Sequence, residues 1–296
     1  FFIPFNIYLY IFCLAFASLF IFKKPEVGIF SIIFCTCIFE LFFTLQPVVI
    51  EENVYKIYPL DVLTIVTLLS FLIYFFRSPE VKMRISKVGI SVIIFFILCL
   101  VSAIYGVATD GDLDTAISTF KNYALYSIFF FLTINIIRNK TQLERLVKVL
   151  IFCGIALLPF VFYGFVRGAG LWIEYTPLPT FGTRLLAPTH AFYLSVIVLI
   201  SLNLLAYRKN YFGNLAVPII LVQLLGIVGS LTRHLWLALA VGGIFSFIFL
   251  SRKYKKSLLK IIALQLFLVI IAVSIYVWFD YVVSGKVPEY ANEFIR

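Results

Sequence analysis

A chain of 296 residues that is 63% hydrophobic and only 13% charged is too apolar to be a soluble globular protein. Its mean hydropathy of +1.08 and recurring apolar runs long enough to cross a bilayer make it one polytopic membrane domain, with no segment polar enough to fold as a separate soluble one. The formal charge of +10 excludes nothing but is not a nucleic-acid signature, because excess Lys and Arg on one side of a membrane hold orientation and meet anionic headgroups.

Ten spans are predicted, near 5–22, 28–48, 57–76, 88–107, 115–137, 147–166, 190–207, 212–231, 234–250 and 259–279. Spanning segments in such a run must be helices, since lipid offers no partner for free backbone groups. The expected fold class is therefore an all-α polytopic integral membrane protein. Residues 1–280 form its transmembrane domain, and residues 281–296 are expected to be the start of an extracytoplasmic segment that is cut short. The chain begins with Phe1 and no charged region precedes the first apolar run, so no signal peptide is read. The charge pattern puts residue 1 outside, and the start is expected to be truncated. The cysteines Cys13, Cys35, Cys37, Cys99 and Cys153 all lie in apolar segments. Cys35 and Cys37 stand about 200° apart around a helix axis, which suits apolar packing and neither a metal pair nor a disulfide framework.

Along this series the charges change sides. Basic clusters stand at Lys23-Lys24, Arg77/Lys82/Arg84/Lys87, Arg138/Lys140/Arg145/Lys148, Arg208-Lys209 and Arg252/Lys253/Lys255/Lys256/Lys260. The alternate connections carry Glu51-Glu52, Asp110/Asp112/Asp114, Glu174 and Asp280/Glu289/Glu293. The clusters mark the cytoplasmic side. Lys56, Lys121, Arg167, Arg184, Arg233, Lys286 and Arg296 are left outside, and these are the functional lead.

Two outer connections are informative. The first runs from Arg167 to His190, where Pro177, Pro179 and Pro188 with Gly168, Gly170 and Gly182 rule out a regular helix through the middle. Its Trp172, Tyr175 and Phe181 serve equally as an interfacial belt or as faces for sugar stacking. The second is hardly a loop. The apolar stretch 215–250 is too long for one span, and the basic pairs flanking it demand a hairpin, with the reversal at Gly229-Ser230. Arg233 then sits at the outer tip, near the membrane surface. Alone it is a snorkelling residue. With Arg184 and Arg167 from the neighbouring connection it forms a set of fixed forks suited to a phosphate or pyrophosphate. Lys121 either joins that cluster or is an ordinary interfacial lysine. His190 and His234 fall at outer span ends, where a histidine is either a general base or simply makes one polar contact. Glu40 lies inside the second span as a buried carboxylate, whereas Asp61 is expected to be solvated. No Gly-rich phosphate loop, nucleophile elbow or metal-ligand spacing occurs, so no metal or other cofactor is expected.

The stretch G-S-L-T-R-H-L-W-L-A-L-A-V-G-G at 229–243 resembles a segment of the bacterial O-antigen ligase and O-antigen polymerase family, in which a T-G-S-R-like turn opens a span. Upstream, F-G-T-R-L-L-A-P-T-H-A-F-Y-L at 181–194 resembles the family's G-R…P-N stretch, where the chain re-enters the membrane. The resemblance covers about 180–290. It implies a GT-C-like glycosyltransferase of the bacterial cytoplasmic membrane, acting on its outer side without a metal. Such an enzyme moves a glycan from undecaprenyl pyrophosphate to a lipid-A core sugar (ligase) or to another lipid-linked repeat (polymerase), so its partners are that donor, that acceptor and membrane lipids, with no nucleic acid. Arg184 and Arg233 match the family arginines that contact the donor pyrophosphate, with Arg167 and Lys121 as further candidates. The family's catalytic histidine lies in a large periplasmic loop beyond the span matching 259–279, and this chain reads as a member without that part. The catalytic residue is therefore left unknown. His190 and His234 are candidates that do not occupy its place, and the position of His234 is usually a small residue in the family.

Two other classes compete. A transporter or flippase of a lipid-linked or amphipathic anion needs a cavity open alternately to both sides. A non-catalytic scaffold needs none, and its arginines would point separately to water or headgroups.

Overall fold

A computed structural model describes residues 7–39, 48–50, 55–57, 59–77, 82–167, 184–207 and 213–284. The chain divides into two compact units, Phe1–Cys35 with Leu45–Leu146, and Thr36–Thr44 with Val147–Arg296. Nearly all the described chain is helical. Among the described residues, five helical stretches are long and apolar enough to cross a membrane: Pro59–Arg77, Lys87–Ala108, Lys140–Arg167, Pro188–Ala206 and Arg252–Trp278. Shorter apolar helices run over Ile11–Lys23, Pro25–Ile38, Gly213–Gly229 and Arg233–Phe249. By length and composition this is a helical membrane protein.

In the first unit, α1 (Ile7–Lys23) ends at a lysine and α2 (Pro25–Phe39) opens on a proline. Proline suits the first helical position because its missing N–H would have no partner there. The span expected over 28–48 does not continue as helix to its end. Val48–Ile50 (β1) instead pairs antiparallel with Tyr55–Ile57 (β2), Val49 opposite Lys56, a small departure from an all-α chain. Helix α3 (Pro59–Arg77) packs on α1 and meets α2 at Gly28. The Ser70 hydroxyl donates to the Ile21 carbonyl at 2.7 Å, and Gly28 lies so close to the Thr67 side chain that a methyl group there would overlap it. Ile29, Phe71, Leu132 and Ile136 form a buried cluster in this unit.

Helix α4 (Lys87–Ala108) is capped by the Ser86 side chain, which accepts from Gly89 N–H at 3.0 Å. Only Gly89 of its residues is buried, so nearly all of its apolar surface faces outward, as lipid requires. The single span expected over 115–137 is broken into α5 (Leu113–Tyr123), a 3-10 turn at Leu125–Ser127 and α6 (Ile128–Ile136). Asp112 caps α5 by accepting from Thr115 N–H at 2.8 Å. The polar residues Thr115, Thr119 and Lys121 leave α5 too amphipathic to lie in hydrocarbon as a full span.

In the second unit, which takes up the chain at Val147, the span expected over 147–166 is bent but continuous, since Leu157 N–H still donates to the Cys153 carbonyl at 3.0 Å. Helix α7 (Lys140–Ala156) gives way at Leu157 to α8 (Leu158–Arg167). Pro159 has no N–H to continue the ladder, and its ring disfavours helical geometry just before it. Helix α9 (Pro188–Ala206) buries Leu194, Ile197, Val198, Ser201 and Leu202 and makes the unit's centre. Around it stand α10 (Ala216–Gly229), α11 (Arg233–Phe249) and α12 (Arg252–Ser284). Small residues set these contacts: a methyl on Gly154 would come within 2.7 Å of Ile197, and one on Gly242 within 2.6 Å of Leu199. Close backbone approach at glycine is the usual means of joining helices in lipid, where apolar burial gives little drive.

Candidate functional site

One end of the second unit is built around Leu185. Its N–H donates to the Gly229 carbonyl at 2.9 Å, tying the re-entry segment to the C-terminus of α10. Its own carbonyl lies against Gly164 of α8, where any Cβ would overlap it, and its side chain lies over Gly229. Three stretches of chain distant in sequence thus meet at one residue. Arg184 precedes Leu185 directly, Arg167 follows Gly164 by three positions, and Arg233 follows Gly229 by four. The sequence-predicted arginines are therefore carried by adjoining backbone at one end of this unit. Arg184 is half-buried, while Arg167 and Arg233 are exposed.

The turn bearing Arg233 is held from several sides. Ser230 Oγ donates to the Ile227 carbonyl at 2.7 Å, and Thr232 Oγ1 to the Ser230 carbonyl at 3.0 Å. Trp236 Nε1 donates to the Ile227 carbonyl at 3.1 Å, a contact between positions nine apart that requires the chain to reverse. The hairpin expected here is present. Leu231 takes φ of 52°, in the left-handed region that costs a side-chain-bearing residue about 1–2 kcal/mol. Ser230 and Thr232 are buried, so the turn is packed as well as hydrogen-bonded.

Arg233 is the first residue of the 17-residue α11, whose first turn holds no acid. The helix dipole already concentrates positive potential there, so a cation at that position is unfavourable without an anion. Backbone N–H groups and a guanidinium at one helix start make a setting for a phosphate oxygen. Arg167 differs: it ends α8, where the dipole favours a cation, and lies 5.9 Å from the centre of the Tyr163 ring.

Lys121 is held by an ion pair of its own. It belongs to the first unit, where its Nζ lies 2.6 Å from Asp61 Oδ2. Tyr126 donates to the other Asp61 oxygen at 3.1 Å. Asp61, expected to be solvated, is instead held in a largely buried pair at the first turn of α3. The signal that could have found this pairing is that both residues are expected at span ends on the same side, with opposite charge.

His190 is fully buried. Its Nε2 lies 3.1 Å from the Ile38 carbonyl, so that nitrogen carries the hydrogen, and its ring tilts against Phe160 at 4.9 Å. It therefore does not share the exposed surface of the arginines. His234 is exposed beside Arg233. Glu40 lies outside the described residues, as do the aromatic residues Trp172, Tyr175 and Phe181. Among the described residues no three His, Cys, Asp or Glu side chains stand where they could hold a metal ion.

Compared with known proteins, the chain matches no family model, no curated protein and no solved structure.

Proposed function

We propose that this chain is the membrane core of a glycosyltransferase that moves a glycan from undecaprenyl pyrophosphate to a sugar acceptor on the outer side of the bacterial cytoplasmic membrane. The reading takes the ten apolar segments as spans of a GT-C-like enzyme, with short helices such as α10 and α11 completing their crossings through flanking residues. The observation that carries it is the meeting of Arg184 and Arg233 segments through the Leu185–Gly229 hydrogen bond of 2.9 Å. As the glycosidic bond to the donor breaks, the pyrophosphate leaving group gains negative charge. Fixed guanidinium groups beside it stabilise that charge more than they stabilise the intact donor, which is the condition for a rate gain. Arginine offers paired N–H donors at fixed angles, and Arg167 adds a third at the same end. A ligase and a polymerase share this donor half and differ in the acceptor.

The test is glycan transfer by the full-length protein in its native membrane. Arg184→Ala and Arg233→Ala should each lower transfer by about a hundredfold or more while leaving insertion and abundance unchanged. Wild-type glycan length or ligation in both variants removes this mechanism. One observation favours a transporter or flippase instead: the interruption between α5 and α6 at Leu125–Ser127, since broken helices often surround transported ions. Movement of a fluorescent lipid-linked anion across liposomes by the purified protein would support that alternative.

A further inference from the structure

At the end of the first unit where α1 closes and α2 and α7 open lies a cavity of about 590 Å³, lined by Lys23, Lys24, Glu26, Arg138, Asn139 and Arg145 among others. The transfer reaction proposed above makes no use of it. Lys23 and Lys24 are exposed, and their ammonium groups have no partner among the described residues. Arg138 is anchored, its Nε donating to the Asn135 carbonyl at 2.6 Å and its Nη2 to the Lys82 carbonyl at 3.0 Å. Arg145 pairs with Glu26, which is buried, so the single carboxylate is spent on one guanidinium. Four cations against one carboxylate leave the hollow strongly positive.

Two helix starts add donors to this. The 15-residue α2 begins at Pro25 and the 17-residue α7 at Lys140, each beside the cavity; their N-termini offer N–H donors, while the C-termini of α1 and α6, ending at Lys23 and Ile136, offset their potential and leave the side-chain cations as the net charge. Like charges gathered around a hollow repel one another, and the arrangement becomes favourable once an anion with several acceptor oxygens fills it. A phosphate group meets that need, taking charge-assisted bonds from lysine and arginine together. The cavity also opens at the ends of apolar helices, the depth at which lipid headgroups lie, and on the basic side that orientation rules assign to the cytoplasm. Basic pockets between membrane helices on that side hold phospholipid headgroups in general.

We propose that this cavity binds a phosphate group, carried on the headgroup of an anionic phospholipid or as the free ion. The experiment uses the purified chain in neutral detergent, titrated separately with short-chain phosphatidylglycerol, inorganic phosphate and short-chain phosphatidylcholine, with bound ligand read by native mass spectrometry. Phosphatidylglycerol should bind saturably, and Lys23→Gln/Lys24→Gln should weaken it about tenfold or more. Lys253→Gln/Lys256→Gln, on a basic turn of the second unit, should leave it unchanged. Melting both double variants beside the parent separates loss of the site from loss of the fold. If inorganic phosphate alone shows the same dependence on Lys23 and Lys24, the occupant is the free ion and the site stands. Equal weakening by the two double variants, unchanged affinity in Lys23→Gln/Lys24→Gln, or equal binding of phosphatidylcholine would each overturn the proposal.

Discussion

Gln223 shows what single residues cost in this protein. Its amide is fully buried in α10, and neither its oxygen nor its nitrogen has a hydrogen-bond partner among the described residues. It stands beside Gly154, where an added methyl would come within 2.7 Å of the amide nitrogen, and near Ile197. A buried amide without a partner forfeits about 1–3 kcal/mol. Gln223→Leu should therefore stabilise the second unit by about that amount, read as a later midpoint in detergent unfolding. An earlier midpoint would mean that the amide has a partner which the leucine removes. The polar residues divide by how far apart their partners lie in sequence. That the segments carrying Arg184 and Arg233 adjoin was legible because one lies in, and the other just after, a recognisable connection between spans. Asp61 and Lys121 were each assigned to the correct end of a span, yet their pairing was not read, since nothing local joins positions 60 apart. The burial of His190 was hidden for the same reason. Its neighbours Ile38 and Phe160 come from other helices, while its own sequence context is only the start of a span.

At the scale of elements, turns were easier to read than helix continuity. The reversal after Gly229 followed from basic pairs on both sides of an overlong apolar stretch, and the Trp236–Ile227 bond bears it out. The bend at Leu157 and the break at Leu125–Ser127 were missed because apolar residues all round a helix carry no periodic face, so hydropathy cannot mark where it kinks. Pro159 was the local sign of the bend, and the cap Asp112 with its polar sequel was the sign that α5 differs from a span. The tight turn allows a direct test. Leu231 sits at φ of 52°, which glycine adopts freely and proline cannot. Leu231→Gly should keep the hairpin and its function. Leu231→Pro should cost about 3 kcal/mol or more in unfolding and abolish transfer. Equal stability of the two variants would show that the turn does not depend on this backbone conformation.

Across the whole molecule, composition determined most of what was readable. An apolar chain with alternating charge had to be built of helices, and α3, α4, α9 and α11 follow their expected spans closely, while α12 overruns the span expected over 259–279 at both ends. Helix α12 is 33 residues long, about 50 Å, which exceeds the roughly 30 Å of hydrocarbon and carries its basic start well clear of the core. The same charges predict an orientation. A cysteine introduced as Lys253→Cys should react with an impermeant thiol reagent only from the cytoplasmic side, and Asp110→Cys only from the outside, in a chain whose own cysteines are replaced. Labelling in the opposite sense would invert the topology and move Arg184 and Arg233 to the inner face. The division into two units was not legible, because every segment has the same apolar character and only three-dimensional packing separates them.

Leu185 works like a rivet through two plates. Its amide and side chain fasten the end of α10, its carbonyl seats on the bare backbone of α8, and neither neighbour presents a side chain that might slide past. The head of α8 and the tip of the α10–α11 hairpin must therefore travel together whenever the second unit flexes. Bending of α8 is then directed to the joint at Leu157, leaving the spacing of the arginine-bearing backbone unaltered.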